Sequence, residues 1–192
     1  MATYYRFEPD NYADFGVTKS PRLPVDFSFL SGEFLEAKQL PKLVFEVDFP
    51  AGRCLPHYLG GEIPVASQTL IEALQKVGVD NIQVFPALLK NPETGESWKN
   101  FLAMNVVGSL AVANMDASEY DSLMEGDPDG VDTPLVAFSE IVLDRKKLSG
   151  GPMMFRLAES GDLIVHEKVV DYLGEHRPEG GWGVDVIEVD TK

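Results

Sequence analysis

The segment "SQTLIEALQKVGVDNIQV" (residues 67–84) decides the fold, because its pattern predicts a short helix followed by a strand. Ser67 is placed to cap the helix at its N-terminus, and Gly78 is typical of the position just beyond a helix. The alternation of Ile82 and Val84 is typical of a strand. The predicted helix carries a single apolar face, formed by Leu70, Ile71, Leu74 and Val77.

The same arrangement recurs near the end of the chain. "VHEKVVDYL" (165–173) aligns without gaps on "ASQTLIEAL" (66–74), and "GVDVIEV" (183–189) shares five of seven positions with "GVDNIQV" (78–84). We interpret this as an internal duplication of a helix–strand unit, in which each helix lays its apolar stripe against the strand that follows. The alternative is that helix, glycine and strand form a common local unit and that the identity is local.

The rest of the chain predicts strands with few helices. Apolar or alternating runs favour strands at 42–49, 101–113 and 135–144, and two short strands joined by a turn within 153–167. Prolines predict turns and extended segments in the first sixty residues. We therefore expect an α+β fold with a mixed or antiparallel sheet and a few short helices. Residues 1–60 would form an extended region packed on the core, residues 61–192 the α+β domain, and the two together one compact domain.

The charge of the chain restricts its partners. Sixteen basic and 31 acidic residues give a net charge of −15. Between Asn100 and Asp144 there are nine carboxylates and no Lys, Arg or His. This argues against direct binding to nucleic acid or to an anionic membrane, since phosphate affinity comes mainly from Lys and Arg. A basic partner protein would be attracted, although acidity for solubility alone is the alternative.

Cysteine usage and targeting signals indicate a compartment. Cys54 is the single cysteine of the chain, so an internal disulfide framework is excluded. The N-terminus has neither a basic nor an apolar signal region, and no apolar run approaches the roughly 20 residues of a membrane span. We expect a cytoplasmic protein.

Familiar catalytic and metal-binding motifs do not occur in the sequence. The three histidines do not form a metalloprotease motif, and no phosphate-binding glycine loop is present. Cys54 and His57 could pair as nucleophile and base, but Pro56 argues against a shared helix face. "DPDGVD" (127–132) resembles part of a calcium loop, yet its glycine follows the second aspartate immediately and the pattern fails. We therefore predict no catalytic residue, no metal and no cofactor.

The order of motifs from about residue 55 to 189 resembles a known family. "MNVV" (104–107) precedes the acidic segment, "FRL" (155–157) precedes the second helix, and "GVDVIEV" closes the series. This order resembles a bacterial immunity-protein family of polymorphic toxin systems, named for a Myxococcus member and formerly catalogued as a domain of unknown function. The chain departs from the family at the cap of the second helix, where His166 stands in place of the usual serine.

The resemblance implies a cytoplasmic antitoxin that binds and neutralises a cognate secreted toxin, such as the toxins of type VI secretion. Toxins associated with the family resemble metal-dependent nucleases, which must present a cationic surface to phosphate. The carboxylate-dense segment 116–132 would complement that surface, and the chain could also form a homodimer. The candidate toxin-binding residues are Tyr120 as an anchor and five carboxylates: Asp121, Glu125, Asp127, Asp129 and Asp132.

Two other classes of function remain open at the level of sequence. An enzyme with an unrecognised carboxylate site would show perturbed carboxylates in a deep cleft. An adaptor module of a secretion system would show a large exposed apolar patch instead of an acidic one.

Overall fold

In the computed structural model, which describes residues 2–10, 15–124 and 135–192, the chain forms two six-stranded sheets, a two-stranded ribbon and two α-helices. The helices are α1 (Gln68–Lys76) and α2 (Glu167–Glu175). The strands are β1 (Tyr4–Pro9), β2 (Val17–Lys19), β3 (Leu43–Val47), β4 (Tyr58–Leu59), β5 (Val65–Ser67), β6 (Ile82–Lys90), β7 (Ser97–Val106), β8 (Ser109–Leu110), β9 (Glu119–Met124), β10 (Leu135–Glu140), β11 (Val142–Leu143), β12 (Met154–Leu157), β13 (Leu163–His166) and β14 (Val184–Thr191).

The two sheets mix parallel and antiparallel pairs, so the α+β prediction is confirmed. One sheet has the order β2-β3-β6-β7-β5-β4 and the other the order β11-β14-β1-β13-β12-β8. β9 and β10 form the separate antiparallel ribbon. No helix of the described residues is long and apolar enough to cross a membrane.

Each six-stranded sheet contains the same five-strand unit. In the first repeat (β3, β4, β5, α1, β6 and β7), β7 lies antiparallel between β5 and β6, while β3 is parallel to β6 and β4 antiparallel to β5. In the second repeat (β11, β12, β13, α2, β14 and β1), β1 lies antiparallel between β13 and β14. Here β11 is parallel to β14 and β12 antiparallel to β13. The predicted internal duplication is therefore confirmed and extends well beyond the helix–strand unit.

The pairing register relates the two repeats residue by residue. Phe101 of β7 pairs with Ser67 and Ala87, and Tyr4 of β1 pairs with His166 and Val189. Ser67 is thus equivalent to His166, and each of these residues caps a nine-residue helix.

The central strands of the two repeats come from different places in the chain. β7 follows β6 directly through the turn at residues 91–96 and pairs with it as an antiparallel hairpin. The equivalent strand of the second repeat is β1, which comes from the other end of the sequence. Part of the region 1–60, which we expected to pack on the core from outside, therefore lies at the centre of a sheet.

The two "GVD-x-I-x-V" segments are not equivalent in the structure, and that part of the prediction was wrong. In the strand register, Phe85 of β6 is equivalent to Ile187 of β14, because the two residues pair with equivalent residues of the central strands. The sequence identity instead aligns Ile82 with Ile187, which differs from the observed register by three residues. Gly78, with φ 99°, ends α1. Gly183, with φ 73°, immediately precedes β14, and a Cβ added there would lie 2.4 Å from the Cβ of Pro56. Glycine is required at both positions, but for different reasons. The two segments therefore resemble each other in sequence although they are not equivalent in structure.

Both helices pack into one shared core between the inner faces of the repeats. Leu70 and Leu74 of α1 are fully buried there, together with Val169 and Leu173 of α2. The alternation of side chains along β7 sends Met104 into this core and Phe101 to the opposite, outer face. The apolar stripe of each helix therefore determines where it lies.

Separate segments cover the two outer faces. Residues 27–35 cover the first repeat, where Phe29 is fully buried and meets Phe85 edge-on with ring centroids 5.7 Å apart. The β9–β10 ribbon covers the second repeat, where Val136 and Phe138 are buried against Tyr4.

Two predicted strands are shorter than the sequence suggested. The apolar run 101–113 is not one strand, because β7 ends at Val106 and the chain crosses to the other sheet, where β8 pairs with β12. The run 135–144 is divided into β10 and β11, because Ile141 separates a ribbon strand from a sheet strand. In both cases the continuous apolar run correctly indicates that the residues are buried, but it does not indicate where the chain changes its partner strand.

Candidate functional site

The β9–β10 ribbon carries the part of the predicted toxin-binding segment that the structure describes. Its strands pair Tyr120 with Phe138 and Asp121 with Ala137. The rings of Tyr120 and Phe138 meet edge-on with centroids 5.8 Å apart, and Tyr120 remains 40% exposed. Tyr120 is therefore half packed against Phe138 of the same ribbon and half exposed.

The outward side of the ribbon is acidic and apolar together. Glu119, Asp121 and Leu123 occupy every second position of β9 and are exposed, with Leu123 61% exposed. On the neighbouring strand Leu135 is 40% exposed. A surface that combines carboxylates with exposed leucines fits a protein partner better than it fits a small ion.

Four predicted binding residues lie outside the part of the chain that the structure describes. These are Glu125, Asp127, Asp129 and Asp132, all in the connection between β9 and β10. The structure thus brings together Tyr120 and Asp121 on one ribbon and leaves the other four as predictions from sequence. Among the described residues, no group of three or more His, Cys, Asp or Glu side chains could hold a metal ion.

Acidic side chains also lie near the central strand of the second repeat. Burial raises the pKa of the Tyr5 phenol, and the carboxylates of Glu188, Asp171 and Glu167 raise it further. These groups lie on β14 and α2, next to the central strand β1. The negative potential of the chain is therefore not confined to the segment that the sequence singled out.

A cleft of about 600 Å³ contains the second candidate, the Cys54 and His57 pair. The cleft is lined by the segment 52–57, by the start of β7 and by the loop at 179–183. Cys54 is exposed, whereas His57 Nδ1 lies 2.6 Å from the hydroxyl oxygen of Ser67 and its ring meets Trp182 edge-on. Burial lowers the pKa of His57, so its neutral form is favoured.

The contact between His57 and Ser67 has a structural role. The Ser67 hydroxyl oxygen accepts a hydrogen bond from the backbone N–H of Leu70 at 3.1 Å, which caps α1. Ser67 lines the cleft but is only 2% exposed, which leaves its hydroxyl little access to a substrate. His57 serves to orient a helix cap in this arrangement.

The second helix is capped differently, as the sequence indicated. His166 Nδ1 accepts a hydrogen bond from the backbone N–H of Lys168 at 3.1 Å. The imidazole nitrogen thus replaces the serine hydroxyl that the resemblance leads one to expect. The ring of His166 also packs edge-on against Tyr4, with centroids 5.3 Å apart.

Two buried charged groups are used to join segments. Arg156 donates from Nη1 to the carbonyl oxygen of Gly161 at 3.0 Å and from Nη2 to that of Phe29 at 3.5 Å, while burial lowers the pKa of its guanidinium. Glu159 accepts from the N–H of Ala113 at 3.1 Å, and burial raises the pKa of its carboxyl group. Glu159 also accepts, through its backbone oxygen, from the N–H of Val136, so it attaches the β9–β10 ribbon to the β12–β13 turn.

No protein-family model matches the chain, and no curated protein matches it either. The likeness to the immunity-protein family therefore stays a resemblance of ordered motifs, and the function that it implies is a proposal.

Proposed function

We propose that the chain is an immunity protein that binds a basic toxin domain and neutralises it, without catalysing a reaction of its own. The observation that carries this proposal is the outward side of the β9–β10 ribbon, where Glu119, Asp121 and Leu123 are exposed side by side. The ribbon lies within a stretch of sequence that has no cationic side chain. Charge of one sign on such a surface would steer an oppositely charged partner into contact.

The proposed partner is a nuclease domain, because a nuclease must present cations to phosphate. Bound to that cationic surface, the ribbon would occlude the path of the nucleic acid. Its carboxylates would mainly raise the association rate, whereas Tyr120 and Leu123 would slow dissociation. The proposal therefore has two separable kinetic consequences, one for the association rate and one for the dissociation rate.

A charge reversal on the ribbon tests the proposal. The variant Glu119→Lys with Asp121→Lys is compared with Glu36→Lys with Glu93→Lys, a matched pair of exposed carboxylates outside the ribbon. Both variants change the net charge equally. The partner is the C-terminal domain of the toxin whose gene adjoins that of this chain, and the measurements are association kinetics and rescue of growth on co-expression.

We expect the ribbon variant to associate about tenfold more slowly at low salt, with a weaker salt dependence, and the control to change by less than about threefold. Equal losses in the two variants would mean that overall charge acts rather than the ribbon. A toxin domain that neither binds the wild-type chain nor is inhibited by it would contradict the proposed function.

A further inference from the structure

The two repeats differ in how completely their outer faces are covered. Phe85 of β6 and Ile187 of β14 occupy equivalent positions, each opposite the central strand of its repeat. Phe85 is 8% exposed beneath Phe29, whereas Ile187 is 45% exposed. The covering segment of the second repeat thus leaves open the position that is closed in the first.

In the first repeat, a pair of neutral amides holds the covering segment in place. Asn105 donates to the backbone oxygen of Glu33 at 2.7 Å and to Gln83 Oε1 at 2.9 Å. Gln83 in turn accepts from the N–H of Leu35 at 2.8 Å and donates to its oxygen at 3.2 Å. The side chains of this cross-strand pair therefore bind the backbone of the segment that lies over them.

In the second repeat, the register places two carboxylates at the equivalent positions. Glu8 pairs with Asp185 across β1 and β14, as Asn105 pairs with Gln83 across β7 and β6. Arg6 lies beside them and forms an ion pair with Glu8, with 2.7 Å between Nε and Oε1. The two positions that bind a neutral backbone in one repeat therefore hold carboxylates in the other.

A groove of about 210 Å³ lies at this open position. Arg6, Glu140 and Ile187 line it, together with residues of the adjoining strands β10 and β14. Its volume is below the roughly 300–1,000 Å³ of small-molecule sites, and it suits a single long side chain. Since Arg6 is already paired with Glu8, the carboxylate of Glu140 leaves the rim negative.

We infer that this groove takes a lysine or arginine side chain of the toxin, whose aliphatic stem would lie on Ile187 and whose cation would face the carboxylate of Glu140. The inference rests on the proposed function and names the contact through which it would act. A second copy of the chain fits less well, because a twofold interface here would bring Glu140 and its own counterpart into proximity. The groove adjoins the end of β10, so it extends the acidic ribbon into one continuous docking surface.

Two variants test the groove separately from the ribbon. Ile187→Ala removes the apolar floor, and Glu140→Lys places a cation on the rim. Their matched controls are Val84→Ala, at a residue of β6 that is 37% exposed, and Glu93→Lys in the β6–β7 turn. The dissociation constant for the toxin domain is measured by calorimetry, and the oligomeric state of each variant by sedimentation.

We expect Ile187→Ala and Glu140→Lys each to weaken binding about tenfold or more, and each control to change it less than about threefold. If the wild-type chain inhibits the toxin and both groove variants bind as their controls do, the groove is not used and the proposed function still stands. If the wild-type chain does not bind the toxin, both proposals fail together. A wild-type dimer that Ile187→Ala dissociates would identify a second copy of the chain as the occupant and overturn the inference.

Discussion

The first and second repeats have the same strands in the same order but treat their outer faces differently. In the first, Asn105 and Gln83 hold the covering segment through neutral hydrogen bonds, and Phe29 closes the face over Phe85. In the second, Glu159 attaches the covering ribbon, and Ile187 stays exposed. The comparison shows that the same strand arrangement can have a closed outer face in one repeat and a partly exposed outer face in the other.

The largest effect is expected from deleting β1. Removing residues 2–9 takes the central strand out of the second repeat and leaves β13 and β14 without their shared neighbour. We expect loss of the cooperative unfolding transition, measured by circular dichroism during urea titration.

A permuted chain is the control for that deletion. It begins at residue 15 and carries residues 2–10 after Lys192 through a short flexible linker, so that β1 follows β14 as β7 follows β6. It should regain a single cooperative transition with stability near that of the wild type. A permuted chain that stays unfolded would contradict the equivalence of β1 and β7.

Truncating the cover of the first repeat should have the next largest effect. Phe29→Ala removes a fully buried ring from above Phe85 and should lower the free energy of unfolding by about 3–5 kcal/mol. Ile187→Ala, at the equivalent open position of the second repeat, should cost less than about 1 kcal/mol. Similar losses for the two variants, measured by urea unfolding, would mean that the second outer face is as closed as the first.

The caps of the two helices allow a smaller test. Ser67→Ala removes the acceptor for the N–H of Leu70 and should cost about 1 kcal/mol. Hydrogen exchange should quicken in the first turn of α1, while α2 with its His166 cap serves as the internal control. Uniform quickening in both helices would show that the loss spreads through the shared core instead of acting at the cap.

The smallest effect concerns the buried carboxyl group of Glu159, which accepts a hydrogen bond from the N–H of Ala113. Burial raises the pKa of Glu159 above its ordinary value of 4.5, so the folded state holds this proton more tightly than the unfolded state does. Its contribution to stability is therefore present at low pH and is lost as pH rises through the folded pKa. Glu159→Gln keeps the acceptor for Ala113 without the charge, and should unfold at a higher temperature than the wild type at pH 7 but not at pH 3.5. A wild-type chain that gains stability between these two pH values relative to the variant would contradict this.

The local parts of the fold could be predicted from the sequence. The capping residue Ser67, the apolar stripe through Leu70 and Leu74, and the alternation in β3 each depend on neighbours within a few residues, and all were confirmed. The duplication of the helices was also visible, because their residues align without a gap.

The long-range parts could not be predicted. Nothing near Tyr4 indicates that its strand partner lies at Val189, and the run 101–113 does not reveal where the chain changes sheets. The groove around Ile187 was missed for the same reason. The groove becomes apparent only when the strand registers of the two repeats are compared. The identity between the "GVD" segments suggested a register that differs from the observed one by three residues.

The position of β1 also has a consequence for the order of assembly during synthesis. All strands of the first repeat lie between residues 43 and 106, so that half can close while later residues are still on the ribosome. The second half must wait, because Tyr4 is made long before its strand partner Val189. β1 therefore stays without its neighbours while the residues between it and β14 are made, and the open, acidic half of the molecule is completed only when β14 emerges.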